Sequence, residues 1–144
     1  MGLTPGHFYL DTNVFIDLIE RRDGDLKRFI ERASDEQVSF FTSELTLAEV
    51  LVKPIERGQT ELARMFEETV VTSPILQVVP VSRGILRRSA MLRAELNNKL
   101  ADSIHVATAV EAGCRSFVSD DKRLRLPADI ERVTATEFGG IDEA

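Results

Sequence analysis

Four carboxylates stand at positions where an acid either ends a strand, opens a helix or has apolar neighbours on nearly every side. Asp11 closes the apolar run Phe8-Tyr9-Leu10 and precedes an amphipathic stretch. It reads either as a helix cap, a common use of Asp, or as a ligand at the carboxyl end of a strand, where open α/β sheets bind theirs. Glu49 lies within Leu45-Thr46-Leu47-Ala48-Glu49-Val50-Leu51-Val52, the most apolar helical stretch of the chain. A carboxylate buried there without a partner is costly and tends to take up a proton. It therefore calls for a buried Arg or Lys, or for a metal. Asp102 falls in the first turn of a later helix and reads as cap or as site residue. Asp120 and Asp121 directly follow an apolar strand. One of that pair can cap the next element while the other points into the crevice that Asp11 reaches.

Carboxylates gathered in one pocket cannot all ionise freely, and a divalent metal resolves their repulsion. Mg²⁺ takes oxygen ligands from one or two carboxylates and keeps several waters. Such an ion polarises a phosphoryl oxygen and activates a water for in-line attack. The acids together therefore point to metal-dependent cleavage of a phosphodiester. Other polar residues have plainer readings. Glu44 starts a helix, where the macrodipole favours an acid. His105, beside Ile104, Ala107 and Thr108, is expected to be packed or hydrogen-bonded rather than a ligand. Lys122, Arg123 and Arg125 are a solvated face, or meet a phosphate backbone.

The elements that must position these residues follow from periodicity. His7–Leu10 forms the first strand, and Val14, Phe15, Leu18 and Ile19 share one helical face after it. Arg21-Arg22-Asp23-Gly24 stops that helix, and a second covers about 25–34. Gln37–Phe41 is the second strand, and Thr42 or Ser43 caps a helix over roughly 44–53 that Lys53-Pro54 ends or kinks. A helix at about 59–71, a strand at Ile75–Val79 and a long helix at about 82–96 follow, with a turn at Asn97-Asn98. Leu100-Ala101-Asp102 opens a helix that Gly113 stops, and Arg115–Val118 is the fourth strand. Ser119–Leu124 starts a short helix, and Ile130–Thr134 is the fifth strand. Strands alternating with helices imply a parallel sheet with helices on both faces.

At 144 residues the chain is read as one domain, with its core over 7–136 and a mobile tail at 137–144. It is 43% hydrophobic and 29% charged, an ordinary globular composition that provides a core. No apolar run has membrane-spanning length and no leader pattern opens the chain, so the expected location is the cytoplasm. Gly6 stands where a myristoylation signal would carry Ser or Thr. A single cysteine, Cys114, excludes an intramolecular disulfide and a Cys-rich zinc site, and its apolar setting makes it a small core residue. A net charge of −6 is unusual for a nucleic-acid binder. It suits an enzyme whose acidic pocket is neutralised by metal, with basic residues local to it.

Four strings in register carry a resemblance: Leu10-Asp11-Thr12-Asn13-Val14, Thr46-Leu47-Ala48-Glu49-Val50, Ala101-Asp102-Ser103-Ile104-His105-Val106-Ala107-Thr108-Ala109 and Phe117-Val118-Ser119-Asp120-Asp121. In these the chain resembles the PIN domain nucleases, most closely the VapC-like toxins of toxin–antitoxin pairs, over nearly its whole length. The resemblance implies a Rossmann-like α/β domain with a five-stranded parallel sheet of order 3-2-1-4-5. It implies a Mg²⁺- or Mn²⁺-dependent endoribonuclease that works as a homodimer and is blocked by a small antitoxin protein. By position, Asp11 and Asp102 become the principal metal ligands, and Glu49 completes the pocket directly or through water. The family's last motif has Thr, a variable residue, then Asp or Asn; Ser119 and Asp121 take those places here. Thr12, Asn13 and Ser119 are supporting residues, with Thr12 or Ser119 bonding a phosphate or a ligand carboxylate. Arg83, Arg87, Arg88 and Lys99 are candidates for holding the RNA backbone.

Rival readings are a housekeeping RNA-processing nuclease of the same family and a non-catalytic module that binds RNA or a protein. A phosphatase of the haloacid dehalogenase kind would need a second Asp two residues after the nucleophile, where this chain has Asn13.

Overall fold

A computed structural model describes residues 6–20, 38–134 and Glu137. The elements are β1 (Gly6–Leu10), α1 (Thr12–Ile19), β2 (Val38–Ser43), α2 (Glu44–Glu56), α3 (Thr60–Thr72), β3 (Leu76–Val79), α4 (Arg83–Leu96), α5 (Leu100–Glu111), β4 (Ser116–Val118) and β5 (Glu131–Val133). The strands form a single five-stranded sheet in the order β3-β2-β1-β4-β5, and every pairing is parallel. From β1 the chain first builds outward through β2 and β3, then crosses back to add β4 and β5 on the other side. The sheet therefore reverses its winding between β1 and β4.

Side chains alternate across a strand, and a parallel sheet is buried on both faces. Phe8 and Leu10 of β1, Phe40 of β2 and Val118 of β4 point to one face, where Val14 and Phe15 of α1, Val50 of α2, and Phe66 and Val70 of α3 pack on them. Tyr9, Phe41 and Phe117 point to the other, against Ile85 and Leu92 of α4 and Ile104, Val106, Ala107 and Ala109 of α5. Each large apolar side chain buried this way contributes roughly 1.5–3 kcal/mol. α5 is buried continuously from Ser103 to Ala109, sandwiched between the sheet and α4.

Helix ends follow local chemistry. Ser43 and Ser82 cap α2 and α4 by accepting from Leu45 N at 3.0 Å and Ile85 N at 3.1 Å. α4 ends at Asn97 in the left-handed region, φ 60°, which Asn tolerates better than most residues. Asn98 then turns inward. Its amide donates to Arg125 O at 2.7 Å and accepts from Arg125 N at 3.0 Å, tying the β4–β5 loop to the α4–α5 corner.

Two expectations need correction. α2 does not end at Lys53-Pro54 but runs to Glu56, with Pro54 buried inside it. The proline removes one amide from the last turn, yet Lys53 O still accepts from Arg57 N at 3.0 Å and Pro54 O from Gln59 N at 2.8 Å. Nor does Ser119–Leu124 start a helix. The Asp121 carboxylate accepts from Arg123 N at 2.9 Å and Asp121 O from Leu124 N at 3.2 Å, so the side chain closes a tight turn instead. The helix expected at 25–34 lies outside the described residues, as does the tail apart from Glu137.

Candidate acidic site at the sheet switch point

In open α/β sheets ligands bind beyond the carboxyl ends of the strands, where the strand order reverses. Here that point lies between β1 and β4. Leu10 pairs with Val118, so Asp11 and Ser119 leave the sheet side by side. Asp11 N donates to Val118 O at 3.1 Å, and Ser119 N to Val133 O at 2.9 Å, which fixes both backbones.

Asp11 is a cap and more. One carboxylate oxygen accepts from Thr12 N at 2.8 Å at the start of α1. The other accepts from the Ser119 hydroxyl at 2.8 Å. Ser119 is buried, and its oxygen also accepts from Asp121 N at 3.1 Å. One hydroxyl thus fixes the relation between the β1 acid and the β4 acid. Replacing Ser119 by Ala orphans both contacts. The expected cost is about 1–3 kcal/mol, measurable by urea denaturation, with Ser119→Thr retaining most of the stability.

Glu49 sits on the second turn of α2 and its side chain is 34% exposed, so it is not sealed in apolar surroundings. Its partner is neither Arg nor Lys but His105 of α5, whose Nε2 is 2.5 Å from Oε1. The Thr12 hydroxyl donates to that same Oε1 at 2.7 Å. Burial by itself would raise the Glu49 carboxyl, but the His105 hydrogen bond and charge, with Thr12, outweigh it and hold the group below its ordinary value. His105 is buried and its Nδ1 lies 2.6 Å from the hydroxyl of Tyr9, which is fully buried in β1. Burial first, then the Asp11 charge and more weakly that of Glu49, push the Tyr9 hydroxyl well above the usual tyrosine range.

Asp102 occupies the first turn of α5, where the helix dipole favours an acid. It accepts no hydrogen bond from the described residues. Desolvation raises its carboxyl, and the charges of Asp11, Asp121 and, less strongly, Glu49 raise it further, with His105 opposing them. The four acids thus share one electrostatic environment. Of the adjacent pair, Asp121 is half-buried and acts on Asp102, whereas Asp120 is exposed.

The other sequence candidates are more dispersed. Asn13 is exposed on α1, Arg83 and Arg87 are exposed on α4, and Lys99 is exposed just ahead of α5. Arg88 is engaged with Glu111, Nε to Oε1 at 2.9 Å. Cys114 is buried, with burial pushing its thiol up to about 12, as befits a core residue. The Tyr9–His105–Glu49 chain was not anticipated from the residues. Its one sequence signal is His105 a single turn after Asp102 on a helix too apolar to expose it.

The donor set suits a small divalent cation: all four acids offer oxygen, and Asp102 and Glu49 Oε2 carry no hydrogen bond from the described residues. Among those residues no three His, Cys, Asp or Glu side chains are grouped closely enough to hold a metal ion between them. An open arrangement is what Mg²⁺ uses, with one or two carboxylates and retained waters.

A family model described as PIN domain matches residues 8–130. Among solved structures, VapBC2 from Rickettsia felis, bound to a DNA fragment from its promoter, superimposes with a TM-score of 0.72 at 15% identity, over 89% of this chain and 98% of that one. A toxin–antitoxin complex from Klebsiella pneumoniae is 27% identical, with a TM-score of 0.60 over 88% of this chain and 96% of that one. VapBC-5 from Mycobacterium tuberculosis, a member of the VapBC family of toxin–antitoxin systems, is 22% identical, with a TM-score of 0.59 over 90% and 99%. No curated protein matches the sequence.

Proposed function

Since the chain belongs to the PIN domain family, we propose that it is a Mg²⁺- or Mn²⁺-dependent endoribonuclease, acting as the toxin of a VapBC-like pair in the cytoplasm. The observation that carries the reading is the convergence of Asp11, Glu49, Asp102 and Asp121 on the switch point, with Asp102 raised by desolvation and by the charges of the other three. The opposing His105 charge does not cancel that crowding at Asp102, and a divalent ion would offset it.

Asp11 and Asp102 would hold the ion, with Glu49 and Asp121 bound directly or through water. Once bound, the ion supplies charge neutralisation at the scissile phosphate and an activated water. The chain's own part is positioning. Ser119 keeps Asp11 and Asp121 in register, and Thr12 and His105 fix Glu49. The half-buried state of Asp121 supports it over Asp120 as the fourth acid. Exposed Arg83, Arg87 and Lys99 are available to an RNA backbone, Arg88 only on release from Glu111. Val52, Ile55 and Val71 are each at least half exposed on α2 and α3, apolar surface of the kind protein partners cover. It supports an antitoxin and a second copy of the chain as partners.

Incubating purified protein with RNA and Mg²⁺ or Mn²⁺, with and without EDTA, tests the activity. Cleavage is expected only with metal; cleavage surviving in EDTA, or none under any metal, overturns the assignment. The latter result would favour a non-catalytic PIN module. Growth arrest on expression, relieved by a co-expressed small neighbouring protein, separates the toxin from a housekeeping nuclease.

Binding to the folded state alone also stabilises it. At a hundred times its Kd the ion is expected to add about 2.7 kcal/mol. That corresponds to a rise of roughly 10 °C in Tm, readable by thermal melts with and without Mn²⁺. Asp11→Asn should remove most of the increment.

A further inference from the structure

The two oxygens of Glu49 differ. Oε1 takes both the Thr12 hydroxyl, at 2.7 Å, and His105 Nε2, at 2.5 Å. Oε2 takes no hydrogen bond from the described residues. An ionised carboxylate only accepts, so Nε2 must carry a proton to face it at that distance. The other ring nitrogen, Nδ1, is 2.6 Å from the Tyr9 hydroxyl, which has no contact with solvent and also meets Thr42 and Ser43. The ring is thereby held at both nitrogens, Nε2 against Glu49 and Nδ1 against Tyr9. All three residues come from different elements, β1, α5 and α2, and two of them are buried.

We infer that Tyr9 and His105 are positioning residues: Tyr9 fixes the His105 ring, and His105 saturates Glu49 Oε1, so that Glu49 offers the cation one oxygen, Oε2. The inference rests on the reading of this site as a metal site. One-oxygen ligation favours the small, octahedral ions over Ca²⁺, which readily takes both oxygens of a carboxylate. Thr12 supports the same end from the first turn of α1. Neither Tyr9 nor His105 touches the ion; each acts through Glu49.

The test has one arm that needs no metal. Nitrogen NMR of histidine-labelled protein, with His7 as the chain's other histidine, should show a proton held on His105 Nε2. Tyr9→Phe should broaden that signal as the ring loosens. A bare Nε2 overturns the inference. The second arm measures Mn²⁺ affinity by electron paramagnetic resonance. His105→Phe should weaken binding by about 10- to 100-fold, and His105→Gln, whose amide can still donate to Oε1, should recover most of it. Added to Glu49→Gln, His105→Phe should cost nothing further, because both act through one carboxylate. Unchanged Mn²⁺ affinity in a folded His105→Phe protein overturns this inference alone. Failure of the wild type to bind Mn²⁺ overturns the metal reading and, with it, the ligation step, while the NMR result identifies which of the two has failed. Thermal melts on each variant separate misfolding from lost affinity, and Tyr9→Phe, which changes only one atom, keeps the comparison available if His105→Phe does not fold.

Discussion

Asp102→Asn is expected to lower RNA cleavage by about a thousandfold while making the metal-free protein more stable. The catalytic loss follows from the several kcal/mol of charge stabilisation a bound ion supplies at a phosphate, at 1.36 kcal/mol per factor of ten. The gain in stability follows from the arrangement of charge. Asp102 is raised by desolvation and by Asp11, Asp121 and Glu49, so the folded state holds its proton more tightly than the unfolded chain does. Stability from this group is fully present below the ordinary carboxylate range and is lost as pH rises through the raised value. Asn carries no charge and escapes that loss. Glu49 has the opposite sign: its carboxyl is held low, so its contribution is present above the ordinary range and disappears as pH falls through the lowered value. Urea denaturation from pH 3 to 8 without metal should therefore show Asp102→Asn gaining on wild type as pH rises. A variant that is inactive but equally or less stable at pH 8 would show that the acids do not repel at rest. Full activity would remove Asp102 from the site.

Phe117→Ala is expected to cost about 3–5 kcal/mol. Phe117 has no exposed surface, and its ring stacks on Tyr9 with centroids 4.8 Å apart and planes 22° from parallel. Folded domains of this kind hold only about 5–15 kcal/mol in total, so one truncated ring removes a large fraction. The loss is also placed where it matters, in the strand that delivers Ser119 and beneath the ring that faces His105. Cleavage should fall more steeply with temperature than in wild type. Leu86, 45% exposed on α4, is the control: Leu86→Ala should change stability by no more than about 0.5 kcal/mol. Urea midpoints for the two variants beside wild type decide it, and near-equal midpoints would mean that the Phe117 cavity collapses without penalty.

Much of this architecture was legible because apolar alternation and helical stripes act locally. The runs ending at Leu10 and Val118 gave both strands of the switch point, and the acids directly after them gave Asp11 and the Asp120-Asp121 pair. Two local rules misled. Proline ends helices by removing a donor, but near the end of α2 only that one donor is lost and bonding resumes beyond it, Arg57 N to Lys53 O and Gln59 N to Pro54 O, so the helix continues. An Asp at a strand end suggests a cap, but the Asp121 carboxylate closes a turn on Arg123 N. Glu49 shows the other kind of limit. Its neighbours in sequence are apolar, yet the side chain leaves them for His105, which lies 56 residues away in sequence. No spacing within one helix encodes a partner on another. Asn98 is similar: its type and place signal a turn, and only the fold shows it as the clasp on Arg125.

The central place of β1 has a consequence for biosynthesis. Among the described residues β1 is the earliest strand in chain order, yet one of its edges stays unpaired until Ser116–Val118 arrives more than a hundred residues later. Asp11 waits equally long for Ser119. A nascent chain is therefore without a complete pocket until β4 is made, and any product cut short before Ser119 lacks both that hydroxyl and Asp121. Such a fragment also presents a bare apolar strand edge, the surface that invites misassembly. A premature stop thus leaves a fragment exposed to proteases instead of a folded domain.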